Sequence, residues 1–354
     1  GNETDQWRLC VAMGYENWAA LCVEIERHRQ VIAAQFEEVA FREDEGDTPF
    51  LDRAERAWSS AADLAAWTGL LAGEGLDSPQ LVAEALCAFA SARATQQVDS
   101  VARERLRRFI PRLVVEVIRA DKPALALGRT LGVIERVLRR SAYLSLLNEN
   151  RGALARLVDL CGRSSYIADQ IARYPVLLDE LLDPRLYSES VTRAEIAEEL
   201  AERLAYAPAD SEERMQAIAQ FQRATMFRIA VADFNGRLPI MKVSDGLTWL
   251  AEVVLEEALR VAWNDVADRH GVPRFTVDGE VREAGFGIIA YGKLGGLELS
   301  YGSDLDIVFL HNSRGSSQST DGDKALDNAL FFSRLVRRLT HFLTTQTGSG
   351  QLYE

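Results

Sequence analysis

The sequence predicts an α+β protein that is mostly helical, with a helical bundle or superhelix followed by a domain built on a small mixed sheet. Three observations predict this fold class. Apolar residues recur at helical spacing from about residue 50 to 182, in segments separated by short polar or glycine-containing breaks. Two short apolar runs, 286–290 and 305–310, flank a glycine-rich turn and are typical of strands. The 354 residues are 47% hydrophobic and 26% charged, which is typical of a globular chain of two or three domains.

The composition and net charge limit the classes of function that this chain can have. The formal net charge is −13, which weighs against sequence-independent binding to nucleic acid, since that needs a cationic surface. No run of about 18 apolar residues occurs, so the sequence predicts no membrane span. The first five residues are polar and do not resemble a secretory signal. The cysteines lack a CxxC pair and are predicted to be reduced thiols in a cytoplasm. They are Cys10, Cys22, Cys87 and Cys161.

The first two predicted domains are helical. Residues 7–41 have the apolar spacing of one or two helices, and the acidic, glycine-containing stretch 41–49 is predicted to be an exposed loop that closes a segment 1–49. A helical domain is predicted for 50–208, without a fixed repeat period. One of its helices carries an arginine cluster, for which a solvated face and a docking patch for an acidic partner both stay open. The cluster comprises Arg103, Arg105, Arg107, Arg108 and Arg112.

The boundary near residue 208 rests on local signals. Thr192-Arg-Ala-Glu195 is a capping-box pattern that predicts a helix start. The polar, proline-bearing stretch 206–211 then predicts a break, and 209–354 is the third predicted domain. A long helix is expected over 212–235, ended by Gly236.

The remaining elements of this last domain are predicted as follows. Residues 238–245 are expected to be extended, and Ser244 or Asp245 to cap a helix that runs to about residue 269. A mobile loop is expected at 313–322, and an amphipathic helix at 324–345. Residues 351–354 are expected to begin another strand.

The turn between the two apolar runs carries the candidate chemistry. Asp304 and Asp306 flank the first residue of the second run, and strand side chains alternate, so both are expected on one face with Cα atoms roughly 6–7 Å apart. Two carboxylates at this spacing can share divalent cations. The glycines upstream let the backbone approach a triphosphate without a Cβ clash. These are Gly292, Gly295 and Gly296.

These residues also resemble a known family. Gly295-Gly296, seven intervening residues and Asp304-Leu-Asp306 resemble the signature of the DNA-polymerase-β-type nucleotidyltransferases. The longer string Tyr291-Gly-Lys-Leu-Gly-Gly-Leu-Glu-Leu-Ser-Tyr-Gly-Ser-Asp-Leu-Asp306 resembles bacterial glutamine synthetase adenylyltransferases, the bifunctional adenylylating and adenylyl-removing enzymes of nitrogen control. Residues 141–183 resemble the region between the two catalytic halves, and 221–255 resemble the C-terminal, adenylylating half. The resemblance implies that 209–354 is a polymerase-β-like nucleotidyltransferase domain.

The resemblance also implies a reaction, its cofactor and its partners. AMP moves from ATP to a tyrosine hydroxyl of glutamine synthetase with release of pyrophosphate, so no nucleophilic triad is needed in this chain. Mg²⁺ is the implied cofactor, the PII signal-transduction protein and glutamine are the implied effectors, and the implied compartment is a bacterial cytoplasm. The family further implies a third metal-binding carboxylate and an arginine-rich segment beyond residue 354.

Site residues follow from the resemblance position by position. Asp304 and Asp306 are implied to be catalytic and to hold the metal. Lys293 is equally compatible with a phosphate contact and with an ordinary surface lysine, and Arg228 and Lys242 are open candidates for nucleotide contacts or structural roles. The implied nucleotide-binding residues are Gly292, Lys293, Gly295, Gly296, Gly302 and Ser303.

Three other functions stay open at this point. The same motif serves the adenylyl-removing, phosphorolytic half of the family. Another polymerase-β-type nucleotidyltransferase would act on RNA ends or small molecules, although the acidic balance weighs against RNA and the long helical leader against a minimal enzyme. A non-catalytic interaction module with a degenerate site is the third alternative.

Overall fold

The computed structural model describes residues 48–59, 63–183, 192–207, 210–347 and 350–353, together with residues 18, 21 and 186. The expected helices at 7–41 lie outside this part of the chain. The helices described are α1 Thr48–Ser59, α2 Leu64–Gly73, α3 Pro79–Ser91, α4 Arg93–Gln96, α5 Ser100–Ile118, α6 Pro123–Val137, α7 Ser141–Glu149, α8 Arg151–Arg163, α9 Ser165–Arg173, a 3-10 helix Pro175–Leu182, α10 Arg193–Ala205, α11 Ser211–Phe234, α12 Ile240–His270, α13 Gly292–Gly295 and α14 Asn328–Thr344. The strands are β1 Pro273–Val277, β2 Glu280–Glu283, β3 Phe286–Ala290, β4 Ile307–His311 and β5 Ser316–Thr320.

The predicted fold class, mostly helical α+β, is confirmed, and the strand pairing differs in one respect. One sheet has the order β2-β1-β5, and β3 and β4 form a separate two-stranded sheet. Every strand pairing in the described residues is antiparallel rather than mixed. None of the helices described is both long and apolar enough to cross a membrane.

The described residues fall into two compact units. One comprises residues up to 119 together with 145–154, and the other comprises 120–144 together with 155 onward. The domain boundaries predicted at 49 and 208 stay predictions. Of the loop expected at 41–49, only residues 48 and 49 are described, and they form the start of α1 rather than a loop.

In the first unit α1 packs against α5 and α2, and α2 packs against α3, around large apolar side chains. Trp67, Phe109 and Ile110 are fully buried there. The arginines on α5 lie on its partly exposed side, and Arg107, Arg108 and Arg112 have partners within the unit. Arg107 and Arg108 both donate to Glu104, and these hydrogen bonds hold the pKa of that carboxyl at about 2. The docking-patch alternative stays a hypothesis.

The second unit has one apolar core that joins α10, α11, α12 and α14 to the strands. The capping box predicted for α10 is present, with the Thr192 hydroxyl accepting from the Glu195 N–H and the Glu195 carboxylate accepting from Thr192 N–H. Helix α11 begins after Asp210, whose carboxylate accepts from two backbone N–H groups. It ends before Gly236, whose φ is +67°. Both ends agree with the sequence prediction.

Three predictions for this unit are wrong. Residues 238–245 are not extended, since α12 begins at Ile240, and the N–H of Val243 donates to the Pro239 carbonyl at 3.1 Å. Proline is well suited to a helix start because it has no N–H to satisfy. The loop expected at 313–322 contains β5, an edge strand of polar residues without the apolar alternation that would have indicated it.

The expected strand at 351–354 is also absent from its described residues, 351–353. The Tyr353 N–H donates to the Leu343 carbonyl at the end of α14, at 3.1 Å. Leu352 and Tyr353 are buried against the core, so this segment is fixed by packing rather than by a strand ladder.

A buried ionic cluster ties α10 and α11 to the 3-10 helix. Arg228, 8% exposed, donates to both Glu199 oxygens at 2.7 and 3.1 Å. It also lies 3.5 Å from carboxylate oxygens of Glu180 and Asp183. Burial raises the pKa of Glu180 although Arg228 opposes the shift. The cluster is a structural role for Arg228, which was an open candidate for a nucleotide contact.

Candidate active site

The β3–β4 hairpin places both aspartates on its exposed face. Ala290 is paired with Ile307 in the ladder, and one step further the Tyr291 N–H donates to the Asp306 carbonyl at 2.8 Å. Side-chain exposure alternates along this segment. Asp304 and Asp306 are exposed, whereas the residues between and after them pack partly against the core. The two carboxylates therefore share one solvent-facing side, as the spacing predicts.

Glycine is required at two positions beside these carboxylates because of close approach. Gly292 has φ +54°, and a Cβ there would lie 2.1 Å from Asp306 Oδ2. A Cβ at Gly295 would lie 2.6 Å from the Ala290 carbonyl oxygen, inside the tight turn of α13. Gly296 has an ordinary φ of −86°, and its nearest neighbour would be 3.4 Å away. The Asp306 carboxylate thus lies against a bare backbone.

A second turn holds the segment that leads into Asp304. The Ser303 hydroxyl accepts from the Ser300 N–H at 3.1 Å, and the Ser303 N–H donates to the Ser300 carbonyl at 3.1 Å. Gly302 sits in this turn with φ +73°. The Tyr301 hydroxyl donates to Asp233 of α11 at 3.0 Å and so fastens the turn to a long helix.

A cavity of about 300 Å³ opens beside Asp304. Its far wall comes from α9 and α11, where the Arg223 guanidinium stacks over the Tyr174 ring at 4.2 Å. Burial lowers the pKa of Arg223. Two buried polar atoms in the wall, Gln222 Oε1 and the Tyr353 hydroxyl, have no hydrogen-bond partner among the described residues.

No motif in the sequence indicates this wall. Arg223 and Gln222 lie about 80 residues before Asp304, in a stretch for which the sequence predicts only a long helix. Lys242, an open candidate for a nucleotide contact, is instead paired with Asp245 of its own helix at 3.2 Å. Lys293 is exposed on α13 and has no ion-pair partner in the described part of the chain.

The two carboxylates suit a hard divalent cation. Both are exposed, and neither is neutralised by an arginine or lysine in the described part of the chain. No group of three or more His, Cys, Asp or Glu side chains placed to hold a metal occurs among the described residues. Mg²⁺ is commonly held by one or two carboxylates, with substrate phosphates and water completing its shell, so this pair fits Mg²⁺.

Comparison with known proteins identifies the family of this chain. Residues 154–354 match the family model described as glutamate-ammonia ligase adenylyltransferase. Over 99% of its length the chain is 45% identical to a bifunctional glutamine synthetase adenylyltransferase/adenylyl-removing enzyme of Pseudomonas putida, and it covers 36% of that relative. The corresponding protein of Thioalkalivibrio sulfidiphilus is 43% identical over 99% of the chain, with 37% of the relative covered. That of Pseudomonas syringae pv. tomato is 42% identical over 100% of the chain, again with 37% covered. The chain thus spans little more than a third of the length of these relatives.

Proposed function

The chain belongs to the glutamate-ammonia ligase adenylyltransferase family, and from that premise we propose that its β3–β4 hairpin carries an adenylyl-transfer site. The proposed reaction moves AMP from ATP to a tyrosine hydroxyl of glutamine synthetase and releases pyrophosphate. The observation that supports it most directly is the exposed pair Asp304 and Asp306, lying beside a glycine that keeps the backbone bare.

The proposed roles follow from the position of each group. Asp304 and Asp306 hold Mg²⁺, which when bound neutralises charge on the triphosphate. The turn from Gly292 to Gly296 lets the phosphates approach backbone N–H groups without meeting a Cβ. Exposed Lys293 supplies a positive charge beside them, and Gly302 and Ser303 form the turn that sets the direction of Asp304.

Catalysis of this kind depends mainly on positioning and electrostatics, because the nucleophile is supplied by the protein substrate. No side chain of the hairpin needs to form a covalent intermediate. The backbone that carries the two carboxylates is held in place by a ladder hydrogen bond and two turns. This fixed position is what catalysis by positioning requires.

The test uses the full-length protein with labelled ATP, Mg²⁺ and glutamine synthetase. Asp304→Asn keeps the shape of the side chain and removes its charge, and we expect the rate of label transfer to fall by about 10²–10³-fold. Glu280→Gln, which removes an exposed carboxylate from β2, is the matched control and should leave the rate unchanged. Near-normal transfer by Asp304→Asn with an unchanged thermal midpoint would refute the assignment.

The same protein distinguishes the alternatives. We prefer the adenylylating half because residues 221–255 resemble it, and phosphate-dependent release of AMP from adenylylated glutamine synthetase would instead indicate the adenylyl-removing half. A non-catalytic module would show no equilibrium binding of Mg²⁺-ATP. The effectors implied by the resemblance, PII and glutamine, stay predictions.

A further inference from the structure

A second, strongly basic cleft lies between the C-terminal end of α12 and the outer side of α14. Its volume is about 400 Å³, within the range of small-molecule sites. The charged side chains that line it are those of Asp265, Arg269, Arg334, Arg337 and Arg338, and the imidazoles of His270 and His341 also line it.

The positive charge of this cleft is not balanced within the described residues. Its one lining carboxylate, Asp265, is already engaged by Arg338, which donates from Nε at 2.8 Å and from Nη2 at 2.7 Å. Arg269 and Arg337 have no ion-pair partner in the described part of the chain, and both are exposed. Several positive charges that line one cleft repel one another, and a bound anion would relieve this repulsion.

The third unbalanced arginine is positioned by a histidine. The Arg334 guanidinium donates to His270 Nε2 at 2.8 Å, and His270 Nδ1 lies 2.8 Å from the Lys324 carbonyl oxygen. A guanidinium can only donate and a carbonyl oxygen can only accept, so in this arrangement His270 Nε2 accepts and Nδ1 donates. The contact holds Arg334 in the cleft without reducing its charge.

This cleft is separate from the candidate active site. Helix α14 packs on the buried side of the hairpin, where Phe332 stacks on Phe286 with ring centroids 5.7 Å apart. Asp304 and Asp306 face the other side of the same hairpin. No lining residue of the cleft also lines the cavity beside Asp304.

We propose that this cleft binds a small anion that carries two or more phosphate groups. Arginine forks match phosphate oxygens in pairs, and three arginines without an ion-pair partner among the described residues line this cleft, whose one carboxylate is engaged by Arg338. The described lining contains no Trp, Tyr or Phe on which a nucleobase would stack. Recognition therefore rests on the phosphate charge rather than on a base.

The test is calorimetric titration of the full-length protein with pyrophosphate, in EDTA and at constant ionic strength, so that binding through Mg²⁺ does not contribute. We expect Arg334→Gln/Arg337→Gln to weaken binding by at least about tenfold for each guanidinium removed. Arg282→Gln, an exposed arginine of β2, is the matched control and should bind within about twofold of wild type. Both substituted arginines are exposed, so the thermal midpoint should not change. If it does, Arg269→Gln on the neighbouring helix repeats the test.

Two outcomes would overturn the proposal. Loss of pyrophosphate binding in Lys293→Gln but not in Arg334→Gln/Arg337→Gln would place the anion at the candidate active site. Binding of a polyglutamate peptide that depends on Arg334 and Arg337, without binding of pyrophosphate, would make the cleft a docking site for an acidic protein segment. Neither outcome bears on whether Asp304 supports adenylyl transfer, so the two proposals fail independently.

Discussion

The substitution Gly292→Ala tests how closely the backbone and the carboxylate pair are fitted to each other. The new Cβ would lie 2.1 Å from Asp306 Oδ2, whereas ordinary van der Waals contact begins at 3.4 Å. The carboxylate must therefore retreat by about 1.3 Å, or the turn must move by as much. Alanine at φ +54° adds strain of about 1–2 kcal/mol.

The expected effect on activity is larger than that on stability. The atom that must move is the free end of a side chain, so the core is not disturbed and the free energy of unfolding falls only by about the backbone strain. A misplacement of about 1 Å in a positioned catalytic group costs about 10²-fold in rate, which corresponds to about 2.7 kcal/mol of transition-state stabilisation. We expect adenylyl transfer to slow by about that factor.

The assay compares initial rates of label transfer from ATP to glutamine synthetase with thermal unfolding of the same preparations. Gly287→Ala in β3 is the matched control, because no atom would lie within 4 Å of its new Cβ and its φ is not in the left-handed region. It should transfer AMP within about threefold of wild type. If Gly292→Ala stayed within that range too, the Asp306 carboxylate would not be held against this glycine during the reaction, and the argument from close approach would be wrong.

Three further predictions concern stability. Arg228→Met removes two hydrogen bonds to Glu199, which keeps its ion pair with Arg203, and should lower the unfolding free energy in urea by about 1.5–3 kcal/mol; a loss below about 1 kcal/mol would contradict this. Because neighbouring arginines lower the pKa of Glu104 to about 2, its contribution to stability is present above the ordinary glutamate pKa of about 4.3 and is lost as the pH falls toward 2. Glu104→Gln should therefore show a shallower fall of unfolding free energy between about pH 5 and 2 than wild type, and an equal slope would count against it. Tyr301→Phe removes the hydrogen bond to Asp233 and should lower the unfolding free energy by about 1–2 kcal/mol, measured in the same denaturant series with wild type as reference.

Local sequence signals predicted the structure correctly where a few adjacent residues determine it. The capping box at Thr192 and the helix stop at Gly236 were predictable because the chemistry of a helix end involves only its own first or last turn. The same holds for the shared face of Asp304 and Asp306, which follows from strand alternation. Prediction failed at Pro239 and at β5, where a helix start without a side-chain cap and a polar edge strand have little sequence signature.

The sequence by itself determined the mostly helical α+β class, the family and the pair of aspartates beside a glycine turn, because each depends on residue types at short, fixed spacing. Only the tertiary structure decided what surrounds that pair. Arg223 reaches the cavity beside Asp304 because α11 packs against the turn, and Arg228, five residues further along the same helix, instead pairs with Glu199 in the buried cluster. The basic cleft likewise arises where α12 meets α14, some 65 residues apart in the chain. Spacing along a helix determines which residues share a face, but which other element packs against that face depends on contacts between residues far apart in the chain.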